Sequence, residues 1–171
     1  VDYLGDAVLD IKILPNIARA ASIIGVAREV AALTGQTLRM PATDFTAAGP
    51  AIESELAIRI EDAKLNPRFT AGIVKGITLK PSPYWMQRRL ALCGLRAINN
   101  IVDITNFVMM ELGQPLHAFD YRFLEEGRIV VRRSREGENF VSLDGKERVL
   151  RADTLMICDG VKPVAIAGIM G

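Results

Sequence analysis

Histidine is almost missing from this chain: His117 is the only one in 171 residues. Cysteine occurs twice, at Cys93 and Cys158, far apart and without the short spacing of paired metal ligands. So few soft or imidazole ligands exclude a zinc site of the usual kind. No P-loop is present, and no G-x-G-x-x-G follows a strand-like run, which removes the common phosphate cradles. No nucleophile-elbow motif is present for a serine triad. The aliphatic runs stop well short of a membrane span. Val1 is not a natural start and no signal-peptide pattern follows it, so the chain is expected to begin inside a longer protein. Both cysteines lie among apolar residues and are expected to be reduced core thiols. Charge of one sign is also lacking. With 21 basic and 20 acidic side chains the net charge is +1. That excludes a global nucleic-acid signature, so any RNA contact must be local or supplied by a larger assembly.

What is present suits a folded α+β chain. Half of the residues are apolar, and the length fits one domain with a smaller piece or two small domains. Residues 8–13 (VLDIKI) alternate and predict a short strand. Ser22 can cap a helix carrying Ile23, Val26, Val30 and Leu33 at helical spacing, with Gly35 at its stop. Residues 37–50 are small and polar and mark a boundary. Beyond it, residues 56–61 and 68–79 read as strands, the second bent at Gly72 or Gly76. Ser82-Pro83 is expected to start a helix that Gly94 ends. Asp103 can cap another helix running to about Leu112, apolar on more than one face and so expected to be buried on several sides. Tyr84 and Trp85 read as core aromatics, with nucleotide stacking as the alternative. Residues 128–133, 139–143, 155–159 and 163–167 are strand candidates, with turns at Asp144-Gly145 and Asp159-Gly160. The basic run Arg132, Arg133, Arg135 reads as a solvated sheet edge.

Residues 95–120 carry the densest chemistry. Arg96, Asn99, Asn100, Asp103, Thr105, Asn106, Gln114 and His117 are set among Ile, Val, Leu, Met and Phe. An unpartnered buried polar group costs roughly 1–3 kcal/mol, so these groups either fix the fold or line a pocket. His117 can tether a loop or serve a site, being the side chain whose ordinary pKa is nearest neutrality. Arg96 can tie a helix terminus or bind an anion. Asn99 and Asn100 can simply make turns. Thr105 and Asn106 fall in the first turn of an Asp103-capped helix, where free backbone N–H groups can bind an anion or carbonyl oxygen.

Three segments carry a resemblance: PSPYWMQRRLALCGLRAINNIVDITNFVMMELGQPLHAFD, VSLDGKERVLRADTLMICDG and KPVAIAGIMG. With VLDIKILPNIARAASIIGVAREVAALTG before them, the chain resembles the β subunit of bacterial phenylalanyl-tRNA synthetases over nearly all of residues 7–171. Ala97 stands where that family commonly has Pro, and Ile17-Ala18-Arg19 replaces a more typical Arg-Pro-Asp or Arg-Ala-Asp. The resemblance implies a small helical N-terminal unit (residues 1–45, the remainder of an interrupted domain). A mixed, largely antiparallel, barrel-like sheet module with packed helices would follow (46–171, the first part of a tRNA editing module). It implies an α2β2 class II synthetase with a catalytic α subunit, tRNA(Phe) as partner and no membrane. ATP and Mg²⁺ would serve the full enzyme, with no cofactor bound by this segment. By motif, His117 of QPLHAF, Arg96 of GLR, and Thr105 and Asn106 of DITN match the editing pocket, and Gly171 its floor. His117, Asn106 and Arg96 would be catalytic; Thr105 and Gly171 would bind substrate. The family's glutamate that reads the tyrosine hydroxyl falls downstream of that glycine, and the segment alone is therefore expected to edit poorly. Two alternatives stand beside editing: a non-catalytic tRNA-handling or scaffold module, and a free-standing hydrolase of mischarged tRNA.

Overall fold

The computed structural model describes residues 6–170. Three α-helices and six strands make an α+β protein: α1 Ile23–Thr34, β1 Ala57–Ile60, α2 Tyr84–Leu92, α3 Asn100–Leu112, β2 Arg128–Arg133, β3 Asn139–Val141, β4 Glu147–Val149, β5 Leu155–Cys158 and β6 Pro163–Ile166. The chain divides into two compact units, each discontinuous in sequence. One combines Val1–Thr46 with Gly76–Ala118, and the other Ala47–Lys75 with Phe119–Gly171.

The second unit is built on a four-stranded sheet of order β1-β2-β5-β6. β1 runs parallel to β2, and the other pairings are antiparallel. β3 and β4 form a separate hairpin, so the expected barrel-like module is an open sheet among the described residues. Strand alternation sorts the apolar side chains onto two faces. Phe140, Leu150, Met156, Cys158 and Ile166 form one cluster with Val130 against it. Leu56, Ile129 and Val131 form the other, joined by Phe69, Ile73, Leu155 and Ile157. Val131 and Met156 are wholly enclosed.

Phe69 and Ile73 explain why residues 68–79 are not the expected second strand. They cover a face of the sheet instead of joining its edge, and no strand is assigned there. Arg132 and Arg133 correct another expectation, because β2 is an inner strand. Arg132 forms a two-pronged pair with Glu138 at 2.7 and 2.9 Å, with little of either side chain exposed. Arg133 reaches Asp62 at 2.7 Å. The Arg132 guanidinium holds the Glu138 carboxyl at about 2. Burial pushes the Cys158 thiol up to about 11, as expected of an inert core thiol, whereas Cys93 is exposed.

The first unit is helical. Ser22 accepts a hydrogen bond from the Gly25 N–H, and Gly35 closes α1 in the left-handed region, as the sequence predicts. Gly25 also permits a close approach. A Cβ there would lie 2.5 Å from the Arg19 carbonyl oxygen in the preceding 3-10 turn, Pro15–Ala20. Residues 8–13 form no strand. Alternation alone supplies no hydrogen-bonding partner, and Val8, Leu9 and Ile11 remain exposed.

Candidate functional site

Helix α3 organises the polar residues of this unit, and its start differs from the expected one. Asn99, not Asp103, is the cap, accepting from the Ile101 and Val102 N–H groups at 3.0 Å each. Asp103 is fully buried one turn later. Its carboxylate accepts from the Ser82 hydroxyl at 2.5 Å and from the Ile98 N–H at 2.8 Å. Ser82 therefore does not cap α2, whose cap position is Pro83 with no side-chain bond. Asn100 completes the arrangement. Its N–H donates to the Lys80 carbonyl, its amide donates to the Thr78 carbonyl, and its side-chain oxygen accepts from the Lys80 N–H. Residues 78–82 are thus strapped across the N-terminal end of α3 by side chains, and this satisfies backbone groups that a sheet would otherwise pair.

Because α3 starts at Asn100, Thr105 and Asn106 lie inside it. Their backbone N–H groups fall past the orphan donors of the first turn, which corrects the expectation of a backbone anion site there. Thr105 turns its hydroxyl back to the Val102 carbonyl at 2.8 Å. The Asn106 carboxamide is different: half-buried, it makes no hydrogen bond to the described residues. The helix is not enclosed on several sides either. Asp103 is its only buried residue, and Ile104 and Leu112 are exposed.

Arg96 lies in the loop before the Asn99 cap, exposed and without an ion pair among the described residues. His117 lies beyond the other end of α3, past Gly113, which closes the helix with φ 78°. His117 is exposed, yet the protein around it desolvates the imidazole enough to lower its pKa from the ordinary value. At 1.5 Å per residue, Asn106 stands about 9 Å along the axis from either helix end. Arg96, Thr105, Asn106 and His117 therefore belong to one compact unit and flank or lie on one helix. Gly171 lies outside the described residues. Among those residues no group of three or more His, Cys, Asp or Glu is placed to hold a metal ion. No helix there is long and apolar enough to cross a membrane.

Sequence reasoning missed two features. Asp103 and Ser82 are 21 positions apart, and nothing local announces their bond. Tyr84 and Trp85 are largely exposed, not core. Trp85 meets Phe107 edge-on, with ring centroids 5.5 Å apart, and the Arg89 guanidinium lies 5.5 Å from the Trp85 ring centre. The four-residue spacing of Tyr84-Trp85 and Arg88-Arg89 was the available signal.

Residues 65–171 match the B3/4 domain family. The chain is 62% identical over 168 residues to the phenylalanine–tRNA ligase beta subunit of Syntrophus aciditrophicus. It is 48% identical to that of Bacillus subtilis and 50% identical to that of Moorella thermoacetica, again over 168 residues. Each alignment covers 98% of this chain and 21% of the relative, so the chain spans about a fifth of the length of the curated relatives it matches. On the strength of the match over residues 65–171, which takes in α2, α3 and strands β2 to β6, the chain belongs to the B3/4 domain family.

Proposed function

We propose that this chain is part of the proofreading module of a phenylalanine–tRNA ligase β subunit, hydrolysing tyrosine wrongly esterified to tRNA(Phe). The observation that carries the reading is the unengaged Asn106 carboxamide on α3, in a chain 62% identical to such a subunit. The substrate is an aminoacyl ester on the terminal ribose. Its hydrolysis needs a placed water, a donor for the developing oxyanion and a grip on the ribose or phosphate.

The Asn106 side-chain amide is the oxyanion donor, since the backbone of α3 is already committed to its own helix. A donor of this kind is worth about 10²–10³ in rate. His117, whose imidazole pKa is lowered by desolvation, holds the ribose hydroxyl or orients the water; positioning fits it better than charge. Arg96 offers a fork suited to phosphate oxygens, and the resemblance assigns Thr105 and Gly171 to substrate binding. In this reading the partners are the catalytic α subunit, in an α2β2 enzyme of the cytoplasm, and tRNA(Phe). ATP and Mg²⁺ act in aminoacylation, away from this chain.

The test is deacylation of Tyr-tRNA(Phe) by the α2β2 enzyme carrying Asn106→Ala or His117→Ala. Hydrolysis is expected to fall by about 10²-fold or more for Asn106→Ala, while charging with phenylalanine stays within two-fold. Unchanged hydrolysis in both variants overturns the reading.

A further inference from the structure

We propose that the exposed face of α2 is a stacking surface for single-stranded RNA, specifically for the unpaired 3′ end of the tRNA. The identification of the strand rests on the proofreading reading above. The surface itself is argued from its own chemistry. Tyr84 is 70% exposed and Trp85 50% exposed, an unusual amount of open aromatic surface for adjacent residues on one helix. Each has an arginine four residues on, Arg88 and Arg89, so every aromatic ring is followed by a cation one turn along the same face. Arg89 already lies over the Trp85 ring. Arg88 pairs with Asp6 and is partly neutralised.

Apart from the Asp6 carboxylate that pairs with Arg88, the charge along this stretch is positive. Residues 76–102 contain Lys80, Arg88, Arg89 and Arg96 and no carboxylate. The next acid, Asp103, is fully buried and consumed by Ser82 and Ile98. Open aromatic rings interleaved with cations are the pattern by which proteins hold single strands: bases stack on the rings, and cations follow the phosphates. The chain as a whole is nearly neutral, so this local imbalance is not inherited from composition. Trp85 also touches Phe107, the residue after Asn106. Bases stacked on Trp85 and Tyr84 would therefore lead along α2 to the helix that carries the unengaged amide. Trp85 and Arg89 are positioning residues in this scheme; neither meets the scissile ester.

Trp85 is the only tryptophan in the chain, so its fluorescence reports on this surface alone. The experiment titrates the full chain with an eight-nucleotide single-stranded RNA ending in CCA, following tryptophan emission and the anisotropy of a fluorescein-labelled copy. Quenching with saturable binding is expected. Affinity should weaken about ten-fold in Trp85→Ala and recover most of that in Trp85→Phe, which also controls for folding. Arg89→Ala should weaken binding and reduce its salt dependence by about 0.7 in log–log slope, the share of one phosphate contact on a single strand. Three results overturn the inference. One is no saturable binding. Another is equal affinity in Trp85→Ala. The third is emission that changes with protein concentration in the absence of RNA, which marks the face as a protein interface. Failure here is separable from failure of the proofreading reading. Loss of RNA binding in Trp85→Ala with no Tyr-tRNA hydrolysis by the parent enzyme sinks only proofreading. Hydrolysis sensitive to Asn106→Ala but indifferent to Trp85→Ala sinks only the stacking surface.

Discussion

The two units are held together by different chemistry. The sheet unit is organised by aliphatic side chains on both faces of β2 and β5, with Val131 and Met156 fully enclosed. In the helical unit the buried set is sparse: Ala20, Gly25, Met86 and Leu90, with Ser82 and Asp103 beside them. Directional hydrogen bonds accepted by Asn99 and Asp103 and exchanged by Asn100 do there what apolar burial does in the sheet. Apolar burial is non-directional and tolerates variation, whereas a polar strap fixes one geometry and fails sharply when a partner is removed. A unit that must hold a functional helix in register gains from the second kind.

Substitutions can break this comparison, and the largest effect is expected in the sheet. Met156→Ala leaves a cavity between Phe140, Leu150 and Ile166 and should cost about 2–5 kcal/mol, measured by urea unfolding. Asp103→Ala should cost about 2–4 kcal/mol, because the Ser82 hydroxyl and Ile98 N–H lose their acceptor. Hydrogen exchange distinguishes the two: Asp103→Ala should expose the amides of residues 98–103 first, and Met156→Ala those of β5 and β6. A smaller, pH-dependent effect is expected at Glu138. Its folded pKa of about 2 lies below the ordinary 4.5, so the Arg132 pair stabilises fully above about pH 4.5 and is lost as pH falls toward 2. Glu138→Gln should lower stability by roughly 1–3 kcal/mol at pH 7 and flatten the acid limb of the stability curve.

The same difference in chemistry governs what could be read from sequence. Period-two alternation marked β1, and short apolar runs set off by the Asp144-Gly145 and Asp159-Gly160 turns marked the C-terminal strands. The Ser22 cap and the glycine stop at Gly35 were visible for the same local reason. The alternating residues 8–13 misled, since a strand also needs a neighbour. Residues 68–79 misled because Phe69 and Ile73 pack flat against a sheet face. The residue type of Asp103 suits a cap; its partner Ser82 is distant in sequence, and only the folded chain brings them together. For the candidate site, residue types and resemblance nominated Arg96, Thr105, Asn106 and His117. The fold added which of the neighbouring polar groups are already spent on structure.

That division, between polar groups that hold α3 in place and those left open to a substrate, is tested most directly by a paired measurement. Asn99→Ala and Asn106→Ala are compared in the proposed α2β2 enzyme for thermal midpoint and for the proposed Tyr-tRNA(Phe) hydrolysis. Asn99→Ala removes a helix cap and is expected to cost about 1 kcal/mol, with hydrolysis within a few-fold of the parent. Asn106→Ala is expected to leave the midpoint nearly unchanged and to slow hydrolysis by about 10²-fold or more. A lowered midpoint with intact hydrolysis for Asn106→Ala would contradict the account.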